Sequence, residues 1–369
     1  MLQIRGIGIA LPEQSIEQAE AAELAKAFSG VSAEAAGALP ALYQRTRIRR
    51  RGSVLLDGPQ RADGGSRQSF FPPPIVPQDR GPTTGERMRR YRQEAAPLAI
   101  RAMRAALEQA GVSPERLEHL VTVSCTGFRA PGVDVALMQQ LGLRPQISRT
   151  HLGFMGCHAA LNGLRVASAL AAGSPDGVVG VCAVELCSLH YQYGPDPERW
   201  VANALFADGA AAVIAASAPA ASTVAPAAAA WSLAASGSCV FPDSADAISW
   251  DIGDHGFEMR LSTRVPTLLA EHLRPWLAAW LARSRLTIDT VASWAVHPGG
   301  PRILSAVREA LGLPADALAT SASVLERCGN MSSPTLLFIL DRLRQDRAPR
   351  PCVALAFGPG LTAEAALFQ

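Results

Sequence analysis

A chain of 369 residues, 49% of them hydrophobic, can bury a large core and is too long for one simple domain, so it fits two domains or one internally repeated unit. Charged residues amount to 18% and the formal net charge is only +2, which excludes the basic field that nucleic-acid binding requires. The seven cysteines are odd in number and form no CxxC or Cys/His pair at zinc spacing, so free thiols and no metal site are expected.

The opening LQIRGIGIALP reads as a strand entering a loop. It lacks the charged-then-apolar layout of a secretion signal, and no apolar run reaches the roughly 18–20 residues of a membrane helix. A cytoplasmic protein without membrane contact is expected. Arg45, Arg47, Arg49, Arg50 and Arg51 follow as a basic cluster that suits either a solvated face or the phosphates of a ligand. Residues 53–85 are dense in Pro, Gly and polar side chains without a period of 2 or 3.6, and read as a long loop or insertion. Over 86–110 apolar residues recur at helical spacing, and SPERLEHL then leads into the strand-like VTVSCTG.

Next comes GFMGCHAALNGLR, in which Gly156 permits a sharp turn, Cys157 follows it, and a helix-forming sequence runs on. The buried strand DGVVGVCAVEL comes after that helix. Residues 215–235, almost all Ala, Ser, Pro and Thr, read as a strand end and a connection. The grammar then repeats. VPTLLAEHLRPWLAAWLARSRL is helical, TIDTVAS is a bridge, and WAVHPGG is a strand meeting a Gly-rich turn. SVLERCGNMSSPTLLFILDRLRQD followed by PCVALAFGPG mirrors the cysteine turn, its helix and its strand. The repeat predicts a layered α/β protein with an N-terminal half at 1–220 and a C-terminal half at 221–369, related by a pseudo-twofold axis. Under that axis the turns of Cys157 and Asn330 match, His297 ends the strand equivalent to VTVSCTG, and all three converge.

Each of the three has an ordinary explanation when taken alone. A cysteine among Gly and Ala is usually a packing residue, a histidine at a strand end is usually satisfied by backbone, and Asn before Ser-Ser-Pro is capping chemistry. Together they can do acyl transfer. A helix N-terminus and a neighbouring imidazolium favour the thiolate of Cys157, which attacks thioesters. His297 and the Asn330 amide offer two donors to an oxyanion. On this reasoning Cys157 is the one cysteine expected to have a strongly depressed pKa.

Four segments in this order and spacing, FMGCHAALNGL, WAVHPGGPRIL, CGNMSSPTLLFIL and AFGPGLTAEAALF, resemble the type III polyketide synthases, the chalcone-synthase-like branch of the thiolase fold. SCTGFRAPGVD and NALFADGAAAVI agree with them, so the resemblance covers about 86–369. It implies a thiolase-like αβαβα fold, and a homodimer. It implies an acyl-CoA starter loaded on Cys157, extended by decarboxylative Claisen condensation with malonyl-CoA, and cyclised to a pyrone, resorcinol or related product. No cofactor is implied beyond these substrates. His297 and Asn330 would support the thiolate and the malonyl enolate, and Phe206 would orient the malonyl thioester.

The resemblance also places Cys187, His190, Trp250, Met259 and Ser332 on the cavity wall, with Gly299, Gly300, Gly358 and Pro359 in turns that shape it. Arg45 and Arg302 fall near CoA contacts. His190 and Trp250 are larger than the residues at those places in chalcone-forming relatives, which predicts a cavity narrowed on that side and a short polyketide. His151 and His158 are explained by helix packing, and Glu185 by burial in its strand. Two other readings use the same residue types. A ketoacyl synthase III-like enzyme would stop after one condensation, and a papain-type hydrolase would direct water at the thioester.

Overall fold

The computed structural model describes residues 1–58, 67–76, 78–174, 177–217 and 231–369. The expected boundary between the halves at 220/221 and part of the 53–85 loop lie outside these described residues.

The first half contains β1 (Leu2–Ala10), β2 (Ser15–Glu17), α1 (Gln18–Phe28), α2 (Ala33–Ala36), α3 (Leu39–Arg45), β3 (Arg50–Gly52) and α4 (Thr84–Ala110). It continues through β4 (Leu117–Ser124), α5 (Val133–Leu141), β5 (Ser148–Gly153), α6 (Ala159–Ala172), β6 (Val178–Leu186), α7 (Pro197–Leu205) and β7 (Asp208–Ser217). The second half contains β8 (Trp231–Val240), the hairpin of β9 (Ile248–Gly253) and β10 (Gly256–Leu261), then α8 (Val265–Ala282) and β11 (Ser293–Val296). It closes with α9 (Pro301–Leu311), α10 (Ala319–Cys328), α11 (Ser333–Gln345), β12 (Cys352–Gly358) and β13 (Thr362–Phe368). α4 starts two residues before the apolar period does, because Thr83 and Glu86 form a capping box ahead of it. β4 likewise starts at Leu117, so SPERLEHL already supplies the first strand residues.

Nine strands form one sheet in the order β11-β12-β13-β8-β1-β7-β6-β4-β5. Outward from the β1/β8 pair, both halves repeat one scheme. β1, β7 and β6 are antiparallel neighbours and β6 pairs with β4 in parallel; β8, β13 and β12 are antiparallel neighbours and β12 pairs with β11 in parallel. β1 and β8 themselves pair antiparallel, the relation that a twofold between equivalent strands produces.

Period-two alternation sets the layers. In β12, Cys352, Ala354 and Ala356 face a central core with α6 and α11, while Val353, Leu355 and Phe357 face α8 and α9. In β6, Val179, Val181 and Ala183 face that same centre, while Val178, Val184 and Leu186 face α4. Both sheet faces are thus covered, and the sequence of layers is α4, half-sheet, α6 with α11, half-sheet, α8 with α9. This is the thiolase-like αβαβα arrangement. Among the described residues no helix is long and apolar enough to cross a membrane.

The N-terminal elements pack across the first half rather than extending it. Arg67 ties the 53–85 loop to Gly58 and Ser15, and the fully buried Arg87 donates to the carbonyls of Pro82, Leu189 and Tyr191. Phe71 from that loop lies against Tyr191 and Tyr193. The insertion is therefore part of the wall beside the site.

Candidate active site

Gly156 has φ 74°, and a Cβ there would lie 2.3 Å from Cδ of Pro359, so this turn accepts only glycine. The chain makes one 3-10 turn, Gly156–His158, and enters α6. Cys157 sits on this corner with its remaining exposed surface turned into an internal cavity. Ser332 Oγ is 3.5 Å from Cys157 Sγ, and Ser332 reaches it from a left-handed backbone (φ 55°) that a serine adopts only under constraint.

That constraint comes from Asn330. The Ser332 N–H donates to Asn330 Oδ1 at 2.8 Å, which uses the amide oxygen and leaves Nδ2 as the group free for a ligand. The backbone of Asn330 pairs with the segment bearing Phe206: Asn330 N–H donates to Leu205 O at 3.0 Å, and Ala207 N–H donates to Asn330 O at 2.9 Å. This short parallel bridge joins the two halves across the cavity. His297 follows β11, is 1% exposed, and has no partner on either ring nitrogen among the described residues. Cys157, His297, Asn330 and Phe206 all line the same cavity.

The helix N-terminus alone does not make Cys157 acidic: with His297 neutral, burial pushes its thiol up to about 11, and the Ser332 hydrogen bond only partly opposes this. Burial likewise drives His297 down to about 3. The helix dipole does not offset the rise at Cys157 because the sulfur sits on a single 3-10 turn and is buried, and desolvation outweighs partial charges there. Each group taken alone is neutral at pH 7.

Beneath the cysteine turn lies Glu185, 0% exposed. It accepts from the Cys125 N–H at 2.9 Å, the Thr126 hydroxyl at 2.7 Å and the Ser333 hydroxyl at 3.2 Å. Burial raises its pKa to about 7 despite these donors. The folded state therefore binds this proton more tightly than the unfolded chain does. Its ionisation costs stability as pH rises from about 4.5 to 7, beyond which the cost is constant. Replacing Glu185 by Gln should shift relative stability in favour of the variant by about 2–3 kcal/mol between pH 4.5 and 8. Urea midpoints of both proteins across that range check this, and a pH-independent difference refutes it.

Cys187, His190, Trp250, Met259, Ser332, Gly299, Gly358 and Pro359 line the cavity. His190 is locked: its Nδ1 accepts from the Phe257 N–H at 2.9 Å, so Nε2 carries the proton and donates to Thr126 O at 2.7 Å. Its ring stacks on Phe257 at 4.1 Å, and Trp250, whose Nε1 donates to Cys125 O, meets it edge-on. These contacts fix His190 and Trp250 in the cavity wall. The cavity lining also takes in Ala21, Leu24, Ala25, Phe28, Leu55 and Phe71, an apolar lobe that the reading of His190 and Trp250 leaves out.

Three expected site residues are not at the cavity. Gly300 starts α9 and packs toward Leu205 instead, while Arg45 and Arg302 are exposed away from the lining. Sequence reasoning missed the lobe residues and the hydrogen bonds converging on Glu185, and no local pattern marks either. His151 and His158 are held by Thr122 and Asn162 respectively.

The sequence and fold match known proteins along nearly the whole chain. The N-terminal domain of the chalcone and stilbene synthases matches residues 2–219, and their C-terminal domain matches 232–369. The alpha-pyrone synthesis polyketide synthase-like Pks18 of Mycobacterium tuberculosis is 31% identical over 99% of this chain and 90% of that protein. The 1,3,6,8-tetrahydroxynaphthalene synthase of Streptomyces peucetius is 36% identical over 74% of this chain and 72% of that protein. The crystal structure of PKS-I from the brown alga Ectocarpus siliculosus superposes with a TM-score of 0.91 at 29% identity, covering 100% of this chain and 98% of the other. The chain belongs to the chalcone and stilbene synthase family, the type III polyketide synthases. It is an acyltransferase of the class that condenses acyl groups with malonyl-CoA by decarboxylation.

Proposed function

We propose that Cys157 takes the starter acyl group from CoA as a thioester, and that its proton passes to His297. Both groups are neutral when alone, so the reactive state is a thiolate–imidazolium pair in which each buried charge offsets the other. After loading, the proton leaves with CoA and His297 returns to neutral. Its Nε2–H and the Asn330 amide then hold the thioester oxygen of malonyl-CoA. The bond to the malonyl carboxylate breaks, CO₂ departs, and the α-carbon of the resulting enolate attacks the Cys157 thioester, expelling the thiolate. The product is a 3-oxoacyl-CoA that can be reloaded and extended, then cyclised to a pyrone or resorcinol.

The observation that carries this reading is the cavity itself. His297 lines it with neither ring nitrogen partnered among the described residues, and Asn330 lines it with its amide oxygen already used. Intact-protein mass spectrometry after incubation with an acyl-CoA should find the acyl mass on the wild type and not on Cys157→Ala. Labelled malonyl-CoA should then enter an extractable polyketide. Release of a 3-oxo product after one condensation would instead mark a single-step synthase.

The lobe around Ala25 is apolar, which suits the tail of an aliphatic starter. Ala25→Phe should fill it. With acyl-CoAs of increasing length, the variant should lose about tenfold or more in kcat/KM for long chains and keep short ones. Equal loss at every length would count against the lobe. Phe128 (45% exposed) and Met155 (38% exposed), near the Cys157 turn, support a homodimer, to be read by light scattering. A cytoplasmic location completes the reading.

A further inference from the structure

The sequence groups Arg51 with four other arginines as a surface cluster, and the structure separates it from them. Arg45, Arg47, Arg49 and Arg50 are exposed, whereas Arg51, on β3, points inward and lines the cavity. Its Nη1 donates to the carbonyls of Asn203 at 2.7 Å and Phe206 at 2.5 Å. Its aliphatic stem lies on Gly329, where a Cβ would come within 2.9 Å of Arg51 Cγ and 3.2 Å of Cδ. Gly329 itself has φ 74°, so both the conformation and the contact require glycine there. One side chain therefore holds both partners of the Phe206–Asn330 bridge, the first by hydrogen bonds and the second by packing. The guanidinium is not neutralised in contact. Asp208, the nearest acidic influence on it, is occupied by the Ser188 N–H and hydroxyl and the Val54 N–H. Tyr43 lies under it at 5.8 Å, and Nε has no partner among the described residues. A desolvated cation makes strong hydrogen bonds to carbonyls, and its planar fork fixes their direction.

We propose that Arg51 is a positioning residue for chain extension: it sets the placement of Phe206 relative to Asn330, and so of the malonyl thioester relative to its oxyanion donors. This rests on the reading of Asn330 given above. The hydrogen bonds of Arg51 go to Asn203 and Phe206 and none to the Cys157 turn, so loading should depend on it far less than extension does.

Arg51→Met keeps a stem on Gly329 and loses both hydrogen bonds. It should lower malonyl-CoA decarboxylation and condensation by about tenfold to a hundredfold, because small displacements of positioned groups have effects of that size. Cys157 acylation, followed by intact mass, should stay within about threefold of wild type. Arg51→Lys, which retains the charge without the fork, should show the same split and decides the matter if Arg51→Met does not fold. In Arg51→Ala, added methylguanidinium should restore part of the decarboxylation without changing acylation. The proposal is overturned if loading and decarboxylation fall together in the folded variants, as a general packing role requires, or if decarboxylation is unchanged. Asn330→Ala runs alongside. If it also decarboxylates normally, the reading of Asn330 is what fails; if only the Arg51 variants do, the inference fails alone.

Discussion

His297→Gln should slow alkylation of Cys157 at pH 7 by about a thousandfold and make its rate climb roughly tenfold per pH unit well above neutrality. Without an imidazolium partner the buried Cys157 thiol titrates at about 11, so about one molecule in ten thousand would hold a thiolate at pH 7. His297 can accept the proton because neither of its ring nitrogens has a partner among the described residues, and it lines the same cavity as Cys157, where an imidazolium would offset the new anion. Glutamine fills similar space and accepts no proton. The wild type should therefore show a rate that is nearly flat around neutral pH, protected by starter acyl-CoA. In the variant the partly exposed Cys239 should label first at pH 7. Brief iodoacetamide treatment from pH 6 to 10 with peptide mapping reads both. Identical profiles for the two proteins would refute the ion pair.

Asn330→Ala should lower malonyl-CoA decarboxylation by about a hundredfold to a thousandfold, the effect of removing one oxyanion donor, while starter loading changes only severalfold. The alanine also frees the Ser332 N–H, whose acceptor is Asn330 Oδ1, and Ser332 touches Cys157. Asn330→Asp separates the two roles. It keeps an acceptor for Ser332, removes the donor, and brings a negative charge to a place where an enolate must form. Decarboxylation should fall at least as far as in Asn330→Ala, with loading preserved. Carbon dioxide release from labelled malonyl-CoA, measured beside intact mass, decides. Decarboxylation at the wild-type rate in either variant would remove Asn330 from the oxyanion site.

Much of this protein is legible locally. The Gly156–Cys157 turn, the strand ending at His297 and the Asn330 turn are written in short segments because glycine punctuation and apolar period are properties of neighbouring residues. The internal repeat carries further: equivalent turns of two like halves meet, which brings the three residues together from sequence alone.

What the tertiary structure alone decided depends on distance and water. Arg51 reads as one more surface arginine until Asn203 and Phe206, some 150 positions later, place their carbonyls against it. α1 and the loop after β3 add apolar side chains to the cavity lining beside His190 and Trp250, and helical period cannot reveal which distant elements share a cavity. The Cys157 thiol looked acidic from its helix. Enclosure raised its pKa, because desolvation is set by everything packed around a group rather than by the residues next to it in sequence.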